Sequence, residues 1–517
     1  MAEHFDVLVV GAGSAGCVVA ARLSADPACR VGLVEAGALP SDPDIADPLK
    51  WTQIAGRSYD WAYRTVPQPF TAGRRHDWPR GRVLGGSSCL HAMAYVRGHP
   101  DDFEPWRAAG GDRWSAQGLR PGFERSASHI SGDGAAGRNG GPLDVWLPDA
   151  DVSPLVRDFI AAGRALGVPG IDSHNGENLI GTTPNALNIR GGRRLSVADA
   201  YLGQDVRDRP NLVLRLNHQA DRLEIERGRA VTLLAVCDGE VCRLSADRIV
   251  LCAGAVGSPL LLMRSGVGDP DTLAQAGIAC RQEHPGVGAN LQDHLLVFGN
   301  VYRACRPVPP SRLQHSESLM YLDSANMAAT SGVPDIVVAC VVAPAAVEGL
   351  DVPDYGAGFT LLCGATHPQS RGRITPGGPG LHESPIIDPR YLQARQDRVT
   401  MRRALRVARE LGHHRAMDAW RGTEMHPGPD VHSDADLYAF IARAASTHHH
   451  PAGTCRMGQD SIAVVDADLG VHGFDNLFVV DASVMPTLPS GPINAAVVAI
   501  AETWTATVGA PDLVRPG

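Results

Sequence analysis

The N-terminal residues of the chain carry the feature that most constrains its fold. Residues 5–10 (FDVLVV) form a short apolar run rich in β-branched residues, which is typical of a buried parallel strand. This run leads directly into the glycine motif of residues 11–16 (GAGSAG), a stretch of helical character follows, and a second apolar run at 31–34 ends at Glu35. The order of strand, glycine-rich turn, helix, strand and acid predicts a βαβ unit that binds a dinucleotide.

Each position of this unit has a distinct chemical role. Gly11 permits the tight turn after the strand, Gly13 lets the backbone approach a pyrophosphate, and Gly16 lets the helix pack close to the strand. The helix N-terminus offers free N–H groups and a partial positive charge to the phosphates. The carboxylate of Glu35 suits ribose hydroxyls and disfavours the 2′-phosphate of NADP, which leaves NAD and FAD open. The candidate cofactor contacts of this unit are Gly11, Gly13, Ser14, Ala15, Gly16 and Glu35.

The distribution of apolar runs predicts an α/β protein of two domains. Four runs are interpreted as strands of one Rossmann-like sheet to which both ends of the chain contribute, those near residues 7, 31, 249 and 478. The β-like runs at 295–440 carry no cofactor motif and indicate an inserted, sheet-based (α+β) substrate domain, and the glycine-rich stretch 130–142 is a candidate boundary. We predict a discontinuous cofactor domain of residues 1–150, 211–300 and 446–517, and a substrate domain of residues 151–210 and 301–445.

Composition and charge exclude several classes of partner. The 517 residues include 47 Lys and Arg against 56 Asp and Glu, a net charge of −9, and 5% aromatic residues. A chain of this sign has no electrostatic attraction to nucleic acid or to an anionic membrane, and no apolar run approaches the ~20 residues that span a bilayer. The 11 cysteines are scattered and the first residues lack a secretory signal, so we expect a cytoplasmic protein with reduced thiols. The sequence leaves the oligomeric state open, with a monomer as one option.

Several further motifs resemble those of one enzyme family. Residues 81–93 (GRVLGGSSCLHAM) and 254–268 (GAVGSPLLLMRSGVG) are similar to the two signatures of the glucose–methanol–choline (GMC) oxidoreductases. Additional blocks that resemble this family follow in its order at residues 286–294, 450–458, 480–486 and 490–494. The resemblance implies the GMC architecture and FAD as the cofactor, so it is the resemblance that selects FAD over NAD.

The resemblance also implies how an alcohol would be oxidised. The reaction removes a hydride from carbon, which the flavin N5 can accept, and a proton from oxygen, which a base must accept. His450 matches the family's catalytic histidine, and Asn494 matches its second active-site residue, whose amide can donate to the substrate oxygen. On an extended backbone His448 points to the same side as His450, whereas His449 points away. We predict that His448, His450 and Pro492 contact the substrate and that these histidines bind no metal.

Further cofactor contacts follow from the same resemblance. His91 occupies a position near the flavin at which most family members have Asn. Relatives that attach FAD covalently use a histidine one position earlier, where this chain has Leu90, so the resemblance implies non-covalent FAD. Carried over position by position, the further predicted contacts are Ala36, Leu84, Gly86, Ser87, His91, Ala94, Ala220, Ala253, Asp481, Ala482 and Asn494.

The substrate prediction depends on four stretches that are similar to pyridoxine-oxidising members of the family, at residues 58–61, 87–93, 307–317 and 447–451. The hypothesis is oxidation of this primary alcohol to pyridoxal, with O2 as the acceptor and H2O2 as the second product. Alternatives are a GMC dehydrogenase or oxidase acting on choline, hydroxymethylfurfural or a benzylic alcohol, a flavin-containing hydroxynitrile lyase, and a redox-silent flavin-binding protein. For choline, the aromatic cage that a quaternary ammonium prefers could draw on Trp61, Trp78 and Tyr95.

Overall fold

Two seven-stranded sheets organise the fold. The structure is a computed structural model and describes residues 3–131, 140–148 and 150–508. The strands β1 to β24 are, in chain order, Glu3–Val10, Val31–Val34, Tyr63–Arg64, Asp77–Trp78, Ala127–Ser131, Leu143–Leu147, Gly181–Pro184, Ile189–Arg190, Arg193–Arg194, Leu212–Arg215, Gln219–Glu226, Arg229–Cys237, Glu240–Leu251, Val267–Gly268, Gln282–Glu283, Leu295–Ala304, Ser316–Leu322, Ile336–Val341, Gly358–Ala365, Arg373–Thr375, Ile386–Asp388, Arg421–Glu424, Ala445–Thr447 and Leu477–Val479. The helices α1 to α11 are Ser14–Leu23, Glu104–Gly110, Ala116–Ser126, Pro154–Ala165, Val197–Tyr201, Gln204–Arg207, Gly254–Arg264, Pro270–Gln275, Arg395–His413, Asp434–Ala444 and Asn494–Thr507. Short 3-10 helices lie at Pro43–Ile45, Pro48–Lys50, Pro69–Thr71, Gly86–Cys89, Pro100–Phe103, Asp112–Trp114, Arg415–Met417 and Ala482–Val484.

The first sheet is built on the predicted βαβ unit. Its strand order is β10-β2-β1-β13-β12-β11, and β24 pairs with β13. The pairs β10–β2, β2–β1, β1–β13 and β13–β24 are parallel, whereas β11 to β13 form an antiparallel meander. Strand β2 (VGLV) is buried at every residue, which explains why its sequence shows no alternation of apolar and polar positions. The prediction that the runs near residues 7, 31, 249 and 478 share one sheet is confirmed.

The second sheet is antiparallel and comes mainly from the region predicted to bind substrate. Its strand order is β22-β16-β19-β18-β17-β7, and β23 pairs with β16. Strands β18 and β19 are buried at every residue, and helix α9 packs against both of them. The buried face of α9 includes Met401, Leu405, Ala408 and Leu411, which recur every three or four residues as an amphipathic helix requires. Burial of each large apolar side chain contributes roughly 1.5–3 kcal/mol to this contact.

The carboxyl ends of the parallel strands meet at one edge of the first sheet, where the functional loops converge. Strand β1 leads into α1 at Ser14, β13 leads into α7 at Gly254, and β24 leads into the 3-10 helix Ala482–Val484. Open parallel sheets bind ligands at this edge, because helix N-termini there present unpaired N–H groups. The fold therefore gathers motifs from the beginning, middle and end of the chain at one place.

The two sheets match the predicted arrangement of a Rossmann-like domain and a second, sheet-based region. The domain boundaries stay a prediction, and the second sheet already includes Leu295, a few residues before the boundary placed at residue 301. The candidate boundary at 130–142 lies partly outside the described residues, since 132–139 are not described. Within the described ranges, no helix combines the length and the apolar character that a bilayer-crossing segment needs.

Candidate active site

The first component of the site is a pair of glycine-rich loops, residues 11–16 and 81–93, which we name the glycine cradle. A Cβ atom at Gly16 would lie 1.9 Å from the carbonyl oxygen of Gly11, so this position requires glycine for packing. Gly11 itself has a φ of +102°, and a Cβ there would lie 2.6 Å from the Cys252 carbonyl oxygen. At Gly13, by contrast, a Cβ would meet nothing within 4 Å. The backbone of Gly13 therefore borders open space at the start of α1, as the approach of a pyrophosphate requires.

The second glycine loop lies directly on the first. The Gly85 N–H donates to the Ala12 carbonyl at 2.8 Å, and a Cβ at Gly86 would lie 2.6 Å from the Gly13 Cα. Gly86 also has a φ of +54°, a left-handed conformation that glycine adopts at no steric cost. The predicted contact Gly86 is thus adjacent to Gly13 because the two backbones touch, and the predicted contacts Leu84 and Ser87 lie on the same loop, on either side of residues 85–86.

Glu35 closes the cradle from the end of β2. Its side chain is buried, and its two oxygens accept the N–H groups of Ala12 and Gly37, each at 2.9 Å. Burial raises the pKa of Glu35 to about 7, against the opposing effect of these hydrogen bonds and of Arg82. A carboxylate has about four lone-pair sites, so two remain for ribose hydroxyls. The contact between the two glycine loops and the unused lone pairs of Glu35 both fit the dinucleotide site that the sequence predicts.

Asp481 stands at the same edge of the sheet but is fully occupied. One carboxylate oxygen accepts the Gly254 N–H at 2.8 Å and the Ser258 hydroxyl at 2.6 Å. The other oxygen accepts the N–H and the hydroxyl of Ser483 at 2.8 and 2.5 Å. These four donors use the acceptor capacity of the carboxylate, and burial raises the pKa of Asp481. The predicted cofactor role of Asp481 stays a prediction, and its side chain acts here to fix the start of α7.

Asn494 and Ser14 bring two helix N-termini together. The Ser14 hydroxyl donates to the Asn494 Oδ1 at 2.7 Å, which joins the first residue of α1 to the first residue of α11. Because Oδ1 is engaged, the amide Nδ2 keeps both of its N–H donors for another partner. The two helix N-termini add partial positive charge at this point. The arrangement can stabilise negative charge on an oxygen placed there, which is the role predicted for Asn494.

The second component of the site is the histidine cluster, defined by His294, His448 and His450. Two segments pair across it: the His448 N–H donates to the His294 carbonyl at 2.8 Å, and Gln292 and Ala452 exchange two backbone hydrogen bonds of 3.0 Å. The His450 N–H donates to the carboxylate of Asp293 at 2.7 Å. This pairing fixes the backbone on which all three imidazoles stand.

The imidazoles of the histidine cluster lie in direct contact. The ring centroids of His448 and His450 are 4.3 Å apart, and the Nδ1 atoms of His294 and His450 are 2.9 Å apart. His449, between them in sequence, has a φ of +64°, and its carbonyl accepts an N–H of Arg80 at 2.9 Å. The backbone reversal at His449 brings its neighbours to one side.

Burial keeps the cluster neutral at physiological pH. Desolvation lowers the pKa of His448 and His450 well below the ordinary 6.5, and neighbouring imidazoles lower it further. Burial likewise lowers the pKa of His294 to about 4. Each ring therefore carries one N–H and one lone pair at neutral pH. A neutral imidazole is the form that can accept a proton from a substrate hydroxyl.

The ligand-type nitrogens of the three imidazoles lie within 4.8 Å of one another, which is close enough to hold a metal ion. Two of these nitrogens already share the 2.9 Å hydrogen bond between His294 and His450. The sequence carries no metal-binding helix motif beside them. The absence of a metal stays a prediction. In the structure, the Nδ1 atoms of His294 and His450 are hydrogen-bonded to each other.

The remaining predicted contacts lie on elements around the cradle. His91 accepts the Met93 N–H at 3.0 Å and faces Arg194 at 3.3 Å, and burial lowers its pKa to about 3. Ala36 follows Glu35, Ala253 precedes α7, and Pro492 precedes Asn494 by two residues. The others are Ala94, which bridges to Leu187, Ala220 in β11, and Ala482, whose carbonyl accepts the Gly453 N–H.

Sequence reasoning missed two neighbours of His450. His294 was within the recognised block 286–294 but received no role, and Asp293, whose carboxylate holds the His450 N–H, was equally unassigned. Asp293 also accepts the hydroxyls of Thr447, at 2.6 Å, and Tyr391. Burial raises the pKa of Asp293 to about 6. Both residues lie in the family block 286–294, in which no cofactor contact was predicted from the sequence. That unexplained block was the signal that could have pointed to them.

The cradle and the cluster together define a class of protein, an oxidoreductase that combines a dinucleotide site with a neutral proton acceptor. Family models described as GMC oxidoreductase match residues 5–296 and 368–501. The chain belongs to the GMC oxidoreductase family, as its motifs predicted. The family, the fold class and the type of enzyme, an FAD-dependent alcohol oxidoreductase, are thereby confirmed.

Individual relatives cover nearly the whole chain. Pyridoxine 4-oxidase of Microbacterium luteolum is 50% identical over 504 residues, which are 97% of this chain and 99% of the relative. An oxygen-dependent choline dehydrogenase of Photobacterium profundum is 35% identical, over 97% of this chain and 92% of the relative. The crystal structure of pyridoxine 4-oxidase from Mesorbium loti superimposes with a TM-score of 0.94 at 52% identity and covers 98% of this chain and 99% of that one.

Proposed function

We propose that this chain oxidises pyridoxine to pyridoxal in an FAD-dependent reaction, with O2 reduced to H2O2. The observation that carries the proposal is the contact of two neutral imidazoles, His448 and His450, whose ring centroids are 4.3 Å apart. The similarity to pyridoxine 4-oxidase, at 50% identity over 97% of the chain, supports the choice of substrate. The choline dehydrogenase relatives, at 35% identity, support the alternative less strongly.

The residues of the glycine cradle would hold the cofactor. Gly13 leaves the backbone accessible for the pyrophosphate, Gly86 lets the second loop pack against it, and Glu35 offers free lone pairs to the ribose. FAD, when bound, supplies the acceptor for the hydride that leaves the substrate carbon. The cofactor would be held without a covalent bond, since Leu90 has no group that could form one.

The chain's own side chains perform the proton chemistry. The lone pair of neutral His450 accepts the proton of the substrate hydroxyl, and the Nδ2 of Asn494 donates to the same oxygen as negative charge develops. His448, in contact with His450, lies against the substrate and orients it. General-base assistance of this kind contributes on the order of 10²–10⁴-fold to the rate.

The placement of the aromatic residues disfavours choline. Trp61 stacks on Tyr63 at 5.8 Å between ring centroids, and the guanidinium of Arg82 already lies 5.1 Å from the Trp61 ring. Trp78 and Tyr95 are each 1% exposed and thus packed in the core. A quaternary ammonium needs several accessible aromatic faces around one cavity, and these three rings do not provide them.

The proposal is tested by adding substrate to the FAD-loaded enzyme without oxygen. Pyridoxine should bleach the absorbance of oxidised flavin, and choline at equal concentration should not. A lyase or a redox-silent flavin protein would leave the absorbance unchanged with every alcohol. Readmission of oxygen should then release peroxide in proportion to pyridoxal, whereas a dehydrogenase would release none.

His450→Ala provides the matched test of the base. We expect flavin reduction at least ~10²-fold slower, with FAD content unchanged, because the proton acceptor is lost but the cradle is intact. His449→Ala is the control, since this imidazole lies outside the cluster and its loss should change the rate far less. An undiminished rate in His450→Ala would remove His450 from the base role.

Non-covalent binding of FAD is proposed with the activity. Acid precipitation of the loaded enzyme should then release all flavin into the supernatant. Flavin that stays with the precipitate would contradict the non-covalent proposal.

A cytoplasmic location is also proposed. The 11 cysteines are free thiols, and most of them are buried, as suits a reducing cytoplasm.

A further inference from the structure

One side of the His450 ring is fixed by a chain of two hydrogen bonds. The Nε2 of His294 lies 2.7 Å from the carbonyl oxygen of Thr366, and the Nδ1 of His294 lies 2.9 Å from the Nδ1 of His450. His294 is 3% exposed, so water does not compete for these bonds. The chain runs from a backbone carbonyl, through one imidazole, to the proposed base.

The donor and acceptor roles in these two hydrogen bonds follow from the Thr366 carbonyl oxygen, which can only accept. A carbonyl oxygen only accepts, so the Nε2 of His294 must carry the proton of that bond. His294 is neutral because burial lowers its pKa to about 4, and its Nδ1 is therefore a lone pair. Two lone pairs cannot face each other at 2.9 Å, so the Nδ1 of His450 carries a proton and donates it. Neutral His450 then has its lone pair on Nε2.

We propose that His294 is a positioning residue that holds His450 in the tautomer with the proton on Nδ1, so that Nε2 is the atom that accepts the substrate proton. The inference rests on the proposed function for the identity of the base. When the hydroxyl proton moves from the substrate oxygen to Nε2, His450 becomes a cation whose Nδ1–H still donates to His294. That bond strengthens as its donor acquires charge, which stabilises the protonated base.

The surroundings of the pair leave His294 as the group that sets the tautomer. Other ionisable neighbours of His450 are His448, His449 and Arg80, and none of them is hydrogen-bonded to its Nδ1 in the structure described here. The carboxylate of Asp293 accepts the backbone N–H of His450, and the hydrogen bonds of its other oxygen go to the hydroxyls of Tyr391 and Thr447. Around His294 the titratable neighbours are His367 and Asp102, whose side chains are hydrogen-bonded to each other at 2.9 Å.

Two substitutions separate the tautomer role from simple packing. His294→Leu fills the space but removes the acceptor, so His450 is free to carry its proton on Nε2. His294→Asn places an amide oxygen where it can accept from the His450 Nδ1 and an amide nitrogen that can donate to the main chain. His284→Leu serves as a control, because it removes a buried imidazole with a lowered pKa outside the cluster.

The direct readout is the tautomer, measured on FAD-loaded protein labelled with 15N-histidine. Long-range 15N–1H spectra, assigned by comparison with His450→Ala, should show the His450 proton on Nδ1 in the wild type and in His294→Asn, and on Nε2 in His294→Leu. A wild-type spectrum with the proton on Nε2 would overturn the proposal, and so would an Nδ1 proton retained in His294→Leu. The wild-type spectrum decides even if the Leu variant does not fold.

Flavin reduction provides the second readout. We expect His294→Leu to slow reduction by roughly 10–10²-fold at unchanged FAD content and with little change in substrate affinity, since a misplaced proton forfeits part of the general-base contribution. His294→Asn should stay within about threefold of the wild type, as should His284→Leu. Equal losses in the Leu and Asn variants would reduce His294 to a packing residue. If pyridoxine does not reduce the flavin of the wild type, the proposed function fails, whereas the tautomer of His450 is still read from the spectra.

Discussion

The glycine cradle and the histidine cluster hold their functional atoms by different physical means. In the cradle, main chains are so close that a Cβ at Gly16 would overlap Gly11 of the same loop and a Cβ at Gly86 would overlap Gly13 of the other loop. In the cluster, side chains from separate segments are joined by hydrogen bonds that run from His450 through His294 to the Thr366 carbonyl. The cradle should therefore respond to added volume, and the cluster to the position of protons.

The largest effect is expected from Gly16→Ala. The new methyl group would lie 1.9 Å from the Gly11 carbonyl oxygen, and the main chain would have to move to admit it. Overpacking costs about 1–3 kcal/mol and more where a backbone must shift, so we expect a loss of at least ~3 kcal/mol and no retained FAD. Urea unfolding and the flavin absorbance of the purified protein measure the two effects.

Gly13→Ala is the matched comparison for Gly16→Ala. Its methyl group meets no atom within 4 Å, so the stability of the FAD-free protein should change by less than ~1 kcal/mol. FAD affinity should still fall by at least about tenfold, or ~1.4 kcal/mol, because the methyl group enters the space proposed for the pyrophosphate. Equal destabilisation by the two alanines would refute the distinction between a packing glycine and a contact glycine.

The pH dependence of flavin reduction probes the cluster. Only neutral His450 accepts a proton, so the rate is lost as the pH falls through its pKa in the folded protein. Burial and the neighbouring imidazoles hold this pKa well below 6.5, so the rate should stay flat from pH 8 to 6.5 and then drop about tenfold per pH unit below the pKa. Anaerobic stopped-flow reduction at saturating substrate measures this profile, and a midpoint at or above 6.5 would contradict it.

Glu35 should make the FAD-free protein less stable as the pH rises. Burial raises its pKa to about 7 from 4.5, so the folded state holds a proton that the unfolded state has lost between these values. The stability lost across this window is roughly 3 kcal/mol. Urea unfolding of wild type and Glu35→Gln from pH 4.5 to 7.5 isolates the effect, since other titrating groups are common to both. Parallel curves for the two proteins would show that Glu35 titrates normally.

The same contrast explains what the sequence could predict. The first strand, the glycine turn, helix α1 and Glu35 all lie within the first 35 residues. The left-handed turn at Gly11 and the contact of Gly16 with the Gly11 carbonyl both involve residues that are close in sequence. Local spacing was therefore sufficient to predict the turn and the close packing at Gly11 and Gly16, while the contacts of Gly11, Gly13 and Gly16 with a cofactor stay a prediction. The second loop, at residues 81–93, needed the family resemblance, because its contact with Gly13 depends on the folded backbone.

The cluster could be predicted only in part. The family block was sufficient to place His448 and His450 together, although a reversal at His449 (φ +64°) and not an extended backbone brings them to one side. The partner that orients His450 comes from residue 294, across a pairing of distant segments. The last member of the hydrogen-bond chain is the backbone carbonyl of Thr366, and a carbonyl has no side-chain signature. The occupied state of Asp481 was equally hidden, because its four donors come from Gly254, Ser258 and Ser483.

The smallest effect tests a hydrogen bond that joins the cradle to Asn494. Ser14→Ala removes the hydroxyl that donates to the Asn494 Oδ1 at 2.7 Å. A hydrogen bond of this kind contributes about 0.5–1.5 kcal/mol, so the unfolding free energy should fall by ~1 kcal/mol. Ser14→Thr keeps the hydroxyl and is the control for a change in volume at the start of α1.

The kinetic consequence of Ser14→Ala distinguishes orientation from stability. In the wild type the bond to Oδ1 leaves the Nδ2 of Asn494 to donate to the substrate oxygen, whereas in the variant the amide can turn and present Oδ1 instead. We therefore expect flavin reduction to slow by up to about tenfold while FAD affinity changes less, and Asn494→Ala to gain no further loss from Ser14→Ala. If the two substitutions instead multiply their effects, Ser14 acts on the bound cofactor and not through the amide, and the cradle would orient Asn494 by packing alone.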